Sequence, residues 1–446
     1  MQTMKGQLVT VMGLGRHGGG VGAARWLVEQ GGTVTVTDLE TAERLADSLA
    51  RLQDLPIRYT LGRHDEADFR GAHRVVVNPA VMLPHPLVTL ANESGAAITS
   101  EVELFLDRCK ANVVGVTGTT GKSTTCTMLA EMLRHSGRRT WLGGNIGHSL
   151  LCELRGMHAS DVVVLELSSF QLAHLSRTAR LPQAAIITNC RPNHLDWHGS
   201  WTRYRRAKQR ILAGSPGQIA VVNSCDPEVS SWREIAAGEV VPLIEDSWLP
   251  ELRVPGLHNR QNARLAATMA ARLGADPRAI QAALASFAGL PHRLEPVAQI
   301  AGRRFLNDSK ATSAAAAIAA LHAIDGPIWL LAGGVHRGDD WRELARHIAC
   351  RTRGGAFFGQ ARHNLSKAVQ SEAADFNWVA VEHLAEAAAW AFDRSREGDA
   401  ILLSPACPSF DQFADFAERG RRFAELAHDL SHNHDPHRQL GPKPMA

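Results

Sequence analysis

Short β-branched runs alternate with helical patterns from one end of the chain to the other, which predicts parallel sheets joined by crossover helices. Runs at 8–12, 34–38 and 75–78 predict the strands of a first block, which ends near Ile98-Thr-Ser-Glu101. A second block opens with a strand at 112–116 and continues through Asp161-Val-Val-Val-Leu-Glu166, Ala184-Ala-Ile-Ile-Thr188 and Ile219-Ala-Val-Val-Asn223. A third follows Gly289-Leu-Pro-His-Arg293, with strands at Phe305, 328–332, 356–359 and 400–404. Helical stretches such as 262–273 and 411–430 separate or close the blocks, and no repeat of fixed period is present. The polar, proline-rich end at 431–446 is expected to fray.

The strand at 112–116 runs into Gly115-Val-Thr-Gly-Thr-Thr-Gly-Lys-Ser-Thr-Thr125, beyond which a helical pattern begins near Ser123. Strand, glycine-rich loop and helix N-terminus make a phosphate cradle: glycines let backbone N–H groups turn onto an anion, and the helix dipole adds positive potential. Gly118, Thr119, Thr120, Gly121 and Thr124 form the cradle, Lys122 reaches the outer phosphates, and the Ser123 hydroxyl suits Mg²⁺. Five residues separate Gly115 from Gly121, one more than in the strict P-loop, and Gly118 falls between them. The chain is therefore expected to use a nucleoside triphosphate.

A second loop, Gly13-Leu-Gly15-Arg-His-Gly18, also follows a strand and opens a helix, with Asp38 at the end of the next strand. That spacing is the dinucleotide fingerprint, a pyrophosphate on a helix N-terminus and a carboxylate near a ribose. An NAD(P)-dependent dehydrogenase is the rival it raises. A UDP-linked substrate presents the same pyrophosphate, no separate hydride-transfer site can be picked out, and a triphosphate loop has no part in simple dehydrogenation. Gly15, Arg16, His17, Gly18 and Asp38 are the candidate contacts.

Glu166 ends a strand where a P-loop protein places a Mg²⁺-directed acid, against the alternative of a helix-capping glutamate. His194 lies in the loop Asn193-His-Leu-Asp-Trp-His198, just past the next strand. The stretch Tyr204-Arg-Arg-Ala-Lys-Gln-Arg-Ile211, which holds Lys208, reads on its residues as a solvated basic helix face.

A chain of 446 residues has room for about three ordinary domains. Its 45 % hydrophobic and 21 % charged residues are those of a soluble globular protein, and a formal charge of +3 argues against a broad nucleic-acid surface. No apolar run approaches the ~20 residues of a membrane span, and no long apolar segment follows Met1, so neither a membrane nor a secretory route is expected. Seven scattered cysteines without a C-x-x-C pair read as reduced thiols of a cytoplasmic protein.

Taken in order, the motifs resemble the ATP-dependent Mur ligases of peptidoglycan precursor synthesis over essentially the whole chain. Those that carry the likeness are the phosphate loop, Gly143-Gly-Asn-Ile-Gly147, Glu166-Leu-Ser-Ser-Phe-Gln-Leu172, Asn193-His-Leu-Asp-Trp-His-Gly199, Tyr204 to Ile211, Gly256-Leu-His-Asn-Arg260, Gly289-Leu-Pro-His-Arg-Leu-Glu295, Asn307-Asp-Ser-Lys-Ala-Thr312 and Leu403-Ser-Pro-Ala-Cys-Pro-Ser-Phe-Asp-Gln-Phe413. The resemblance implies three α/β domains: Rossmann-like at 1–104 for the UDP-substrate, P-loop ATPase-like at 105–295, and Rossmann-like at 296–430 for the amino acid. It points to the branch that adds D-glutamate to UDP-N-acetylmuramoyl-L-alanine, with two Mg²⁺ ions, ATP as co-substrate and a monomeric enzyme.

By the same resemblance Asn145, Asn259, Arg293 and Asp308 join the ATP site, and Lys310, Thr312, Arg337, Ser409 and Phe416 hold glutamate. Glu166 and His194 become metal ligands, and Lys208 becomes the lysine that family members carbamylate, which overturns its reading as a solvated cation. The chain departs from the family at Thr120, where Asn is usual, at Arg16-His17 with three following glycines, at Asn78-Pro-Ala, and at Arg337, where some members carry Lys. Because residues assigned to ATP and to glutamate fall in different blocks, closure around ligands is expected, excluding water from a hydrolysable intermediate. Small-angle scattering should report a smaller radius of gyration with UDP-substrate and a non-hydrolysable ATP analogue together; an unchanged radius contradicts closure.

Overall fold

The structure is a computed structural model that describes residues 4–15, 18–254, 256–336 and 340–433. Arg16, His17, Arg337 and the tail from 434 onward, all named above, lie outside the described residues. The chain divides into two compact units, Met1–Glu251 with His258–Ser286, and Leu252–Leu257 with Phe287–Ala446.

The first unit carries two sheets. Strands β1 (Leu8–Met12), β2 (Thr33–Asp38), β3 (Arg58–Leu61), β4 (Arg74–Val77) and β5 (Ala97–Thr99) form a wholly parallel sheet in the order β3-β2-β1-β4-β5. Strands β6 (Asn112–Thr117), β7 (Thr140–Gly144), β8 (Val162–Glu166), β9 (Ala184–Ile187), β10 (Ile219–Val222) and β11 (Glu239–Val240) form a second parallel sheet in the order β11-β10-β9-β6-β8-β7. Every residue of β8 and β9 is buried, as covered parallel strands require, so their Val/Ile/Leu runs are continuous rather than alternating. One apolar cluster runs from Val11, Leu27 and Val36 through Phe105 and Leu150 to Val163 and Ile187, so the two sheets share a core. In the second sheet β6 lies between β8 and β9, and the chain leaves β6 towards β7 on one side and β9 towards β10 on the other, so the strand order reverses between β6 and β9, the position where α/β sheets hold ligands.

In the second unit, β12 (Glu295–Ile300), β13 (Arg303–Asn307), β14 (Ile328–Gly333), β15 (Gly354–Phe358), β16 (Trp378–Ala380) and β17 (Ala400–Ala406) are ordered β12-β13-β17-β14-β15-β16. Apolar clusters cover both faces, one centred on Leu330, Phe357 and Leu402, the other on Phe305, Leu331 and Leu403. The sheets are parallel as expected except at one edge, where β12 runs antiparallel to β13. The cause is local: Ala301 and Gly302 both have positive φ (46° and 74°), the two-residue turn whose twist suits a hairpin. All seven cysteines are free, and no helix among the described residues is long and apolar enough to cross a membrane.

Candidate active site

The phosphate loop leaves β6 at Thr117 and enters the Lys122–His135 helix through Gly121, which has φ 79°. A Cβ on Gly121 would lie 2.4 Å from Asn262 Oδ1, and one on Gly118 would lie 1.9 Å from Thr188 Oγ1, so both positions require glycine. The end of β9 pins the loop from the side. Thr119 N–H donates to the Asn189 carbonyl (3.0 Å), Thr120 N–H to Asn189 Oδ1 (3.0 Å), and Thr188 Oγ1 to the Thr120 carbonyl (2.6 Å). The cradle is thereby preorganised, with Ser123 and Thr124 buried at the start of the helix.

Two lysines meet at this loop. Lys122 Nζ donates to the carbonyls of Gly118 and Thr119 (both 3.0 Å), and Lys208 Nζ donates to the same Gly118 carbonyl (2.6 Å). Lys208 is 1 % exposed and its Nζ sits 4.8 Å from the centre of the Tyr204 ring, whose hydroxyl pairs with Thr119 Oγ1 at 2.9 Å. The reading of this helix as a solvated face is thus corrected at Lys208. Burial, and then the neighbouring Lys122 charge, push the Lys208 amine well below the ordinary lysine value.

Glu166, the last residue of β8, is 2 % exposed, and its Oε1 accepts from Asn145 Nδ2 at 2.8 Å. It does not cap a helix, because the next helix, Ser169–His174, is capped by Ser168 with Gln171 in a capping box. His194 is exposed, has a left-handed backbone (φ 52°) and stands 4.8 Å from the Phe170 ring. His198, by contrast, is buried against Ser169 Oγ (3.0 Å), and burial, then the charges of His194 and Lys208, push its imidazole down to about 4. Among the described residues no three His, Cys, Asp or Glu side chains are grouped to hold a metal, so Glu166 and His194 do not form such a set by themselves.

At the first-domain loop, Asp38 is occupied locally. Its Oδ2 accepts the N–H groups of Leu14 (2.7 Å) and Gly15 (3.0 Å), and its Oδ1 that of Glu40 (2.9 Å). It shapes the turn that Gly13 and Gly15 make with φ 89° and 61°. Gly18, with φ 87°, caps the Gly19–Glu29 helix.

In the second unit, Lys310 Nζ lies 5.1 Å from the centre of the Phe416 ring, Thr312 N–H donates to the Lys310 carbonyl (3.0 Å), and Ser409 is 2 % exposed just beyond β17. Asp308 accepts from Ser404 Oγ (2.8 Å) and Leu294 N–H (3.3 Å), and Arg293 stabilises its ionised form. The described members of the predicted amino-acid group thus follow the ends of β13 and β17 or stand at the start of the Phe416–Asn433 helix. Asn259 is buried in the Leu257–Arg272 helix of the first unit with Asn262, which sequence reading missed although a polar residue amid buried alanines was a signal.

Models of three domains match the chain in order: the Mur ligase MurD-like N-terminal domain over residues 7–100, the Mur ligase middle domain over 116–247, and the Mur ligase glutamate ligase domain over 292–407. The chain belongs to the Mur ligase family. It is 36 % identical to UDP-N-acetylmuramoylalanine–D-glutamate ligase of Symbiobacterium thermophilum, across 91 % of this chain and 95 % of that protein. The ligase of the same name from Geobacter metallireducens is 35 % identical, across 97 % of this chain and 100 % of its own length. Among solved structures, the UDP-N-acetylmuramate-alanine ligase of Thermotoga maritima shares the fold, with a TM-score of 0.63 and 22 % identity, covering 95 % of this chain and 100 % of that one.

Burial raises the Asp308 carboxyl to about 7. A folded-state value above the ordinary ~3.9 means that its contribution to stability is fully present below about pH 4 and is lost as pH rises towards 7. Relative to Asp308→Asn, the parent should therefore lose stability between about pH 4 and 7, by at most about 1.4 kcal/mol per pH unit. Parallel denaturation curves for the two proteins across that range contradict the assignment.

Proposed function

We propose that this chain is an ATP-dependent ligase that joins D-glutamate to UDP-N-acetylmuramoyl-L-alanine through an acyl phosphate. The observation that carries the reading is the glycine-locked phosphate cradle, with Lys122 and Lys208 converging on its Gly118 carbonyl, in a chain whose full-length relatives bear that ligase's name. The muramoyl-alanine carboxylate attacks the γ-phosphorus of ATP and ADP leaves; the glutamate amine then attacks the activated carbonyl, and the tetrahedral intermediate expels phosphate.

Residues 118–124 cradle the phosphates, and Lys122 follows the charge that moves onto the leaving oxygen. Asn145, Asn259, Arg293 and Asp308 complete the ATP contacts. The Gly15–Gly18 turn, with Asp38 fixing its shape, receives the UDP-sugar, and Lys310, Thr312, Arg337, Ser409 and Phe416 receive glutamate. The described donors fit Mg²⁺, which prefers oxygen: the buried carboxylate of Glu166, the Ser123 hydroxyl at the helix start and, once Lys208 is carbamylated, a second anionic group, with His194 as a further ligand. When bound, Mg²⁺ would neutralise phosphate charge.

Burial and the Lys122 charge favour an uncharged Lys208 amine, the form that adds CO₂ to give a carbamate and a proton. Lys208→Ala should be nearly inactive and regain part of its turnover with added short carboxylic acids. Full activity of the unrescued variant removes the carbamate from the mechanism.

Phosphate release with UDP-N-acetylmuramoyl-L-alanine, ATP and a panel of D- and L-amino acids tests the whole reading. Turnover should require D-glutamate, and Lys122→Ala should lose it while still binding the UDP-substrate. Turnover with L-glutamate or meso-diaminopimelate but not D-glutamate overturns the amino-acid assignment; near-parental turnover by Lys122→Ala overturns the role of the loop.

A further inference from the structure

Arg419, on the Phe416–Asn433 helix, is 0 % exposed, yet it lies under the amino-acid group and belongs to none of the motifs that identify the family. Its hydrogen bonds end on carbonyl and hydroxyl oxygens. Nε donates to Ser309 Oγ (3.0 Å), Nη2 to the Ser309 carbonyl (2.8 Å), and Nη1 to the carbonyls of Cys407 (3.0 Å) and Gly333 (3.3 Å). Those three residues stand at or just beyond the C-terminal ends of β13, β17 and β14, which are consecutive in the sheet. One planar guanidinium thus ties together three strand exits, and its fixed fork of donors allows little change in their relative register.

The ties continue to the residues proposed for glutamate. Lys310 directly follows Ser309, Ser409 lies two residues past Cys407, and the chain beyond Gly333 leads to Arg337. Ser309 Oγ in turn donates to the Phe416 carbonyl (2.7 Å), and Phe416 carries the ring beneath Lys310. Packing is equally tight between the exits of β14 and β17, because a Cβ on Gly334 would lie 2.1 Å from the Pro408 carbonyl and 3.1 Å from Arg419 Nη1. Burial lowers the guanidinium to about 10, so it remains a cation at neutral pH. A buried cation carries a desolvation cost, which here is offset by its hydrogen bonds to the Ser309, Cys407 and Gly333 carbonyls.

We propose that Arg419 is a positioning residue for the amino-acid substrate, holding the Ser309–Lys310, Gly333–Gly334 and Cys407–Ser409 exits in the single register that binds it. The proposal rests on the ligase reading above for the identity of that substrate. The test is steady-state phosphate release by the full chain, with KM measured separately for amino acid, ATP and UDP-substrate in the parent, Arg419→Lys, Arg419→Met and Ser309→Ala. The amino acid is the one the parent turns over; if that is not D-glutamate, the substrate assignment fails while the test of Arg419 proceeds with the amino acid found.

A misplacement of the order of an ångström should raise the amino-acid KM at least about tenfold in Arg419→Lys, and further in Arg419→Met, with the other two KM values within roughly twofold. Ser309→Ala should move the same constant by less. Simple destabilisation would instead lower the active fraction, and so kcat, without a selective change in one KM. An unchanged amino-acid KM in Arg419→Lys, or a parallel rise in all three constants, overturns the proposal. Should Arg419→Met fail to fold, Arg419→Lys and Ser309→Ala decide it.

Discussion

Two lysine amines converge on one backbone oxygen, the carbonyl of Gly118, and the chemistry of the first unit follows from that crowding. Two ammonium groups this close, one of them buried, cannot both stay charged without strong compensation. Lys122 is the half-buried end of the pair, and beside its charge the fully buried end, Lys208, is driven by burial towards the neutral amine. The arrangement survives only because the loop cannot shift: Thr188 and Asn189 hold it from β9, and Asn262 closes the space beside Gly121. A rigid loop therefore converts an electrostatic conflict into a difference in reactivity between two residues of the same type.

The second unit solves the reverse problem. There a single buried guanidinium reconciles three converging strand ends, whose carbonyls would otherwise face one another. Positive charge at Lys208 is the thing to be removed, whereas at Arg419 it is the thing to be retained, and the two side chains suit those demands. A lysine amine loses its proton readily when buried, and a guanidinium does not.

Central strands were legible because burial on both faces leaves an apolar run, as in Val162–Glu166 and Ile328–Gly333. The strands that sequence reading passed over, among them Arg58–Leu61, Glu239–Val240 and Trp378–Ala380, lie at sheet edges, where half-exposed residues carry no such signal. The phosphate loop could be read from its glycines. Lys208 could not be separated from its helix by charge alone, since Arg203, Arg205 and Arg206 surround it. The signal lay in spacing: Tyr204, Ala207, Lys208 and Ile211 fall at i, i+3, i+4 and i+7, an apolar stripe with one amine in it. Asp38 ends its strand as its spacing suggested, but its engagement with Leu14 and Gly15 depends on the curl of the glycine turn, which no residue pattern states.

The strand order of the third sheet also constrains how the chain can acquire its structure. β17 is the last strand to leave the ribosome, yet it lies between β13 and β14, bonded to both. Until about residue 400 has been synthesised, those two strands present facing rows of unpaired backbone groups, and the sheet can close only by inserting a segment from far along the sequence. Nascent chains stalled short of that strand would carry two open, apolar edges suited to pairing with one another. The same late strand leads directly into Cys407 and Ser409, so the segment that closes the sheet also carries one of the residues proposed above for glutamate.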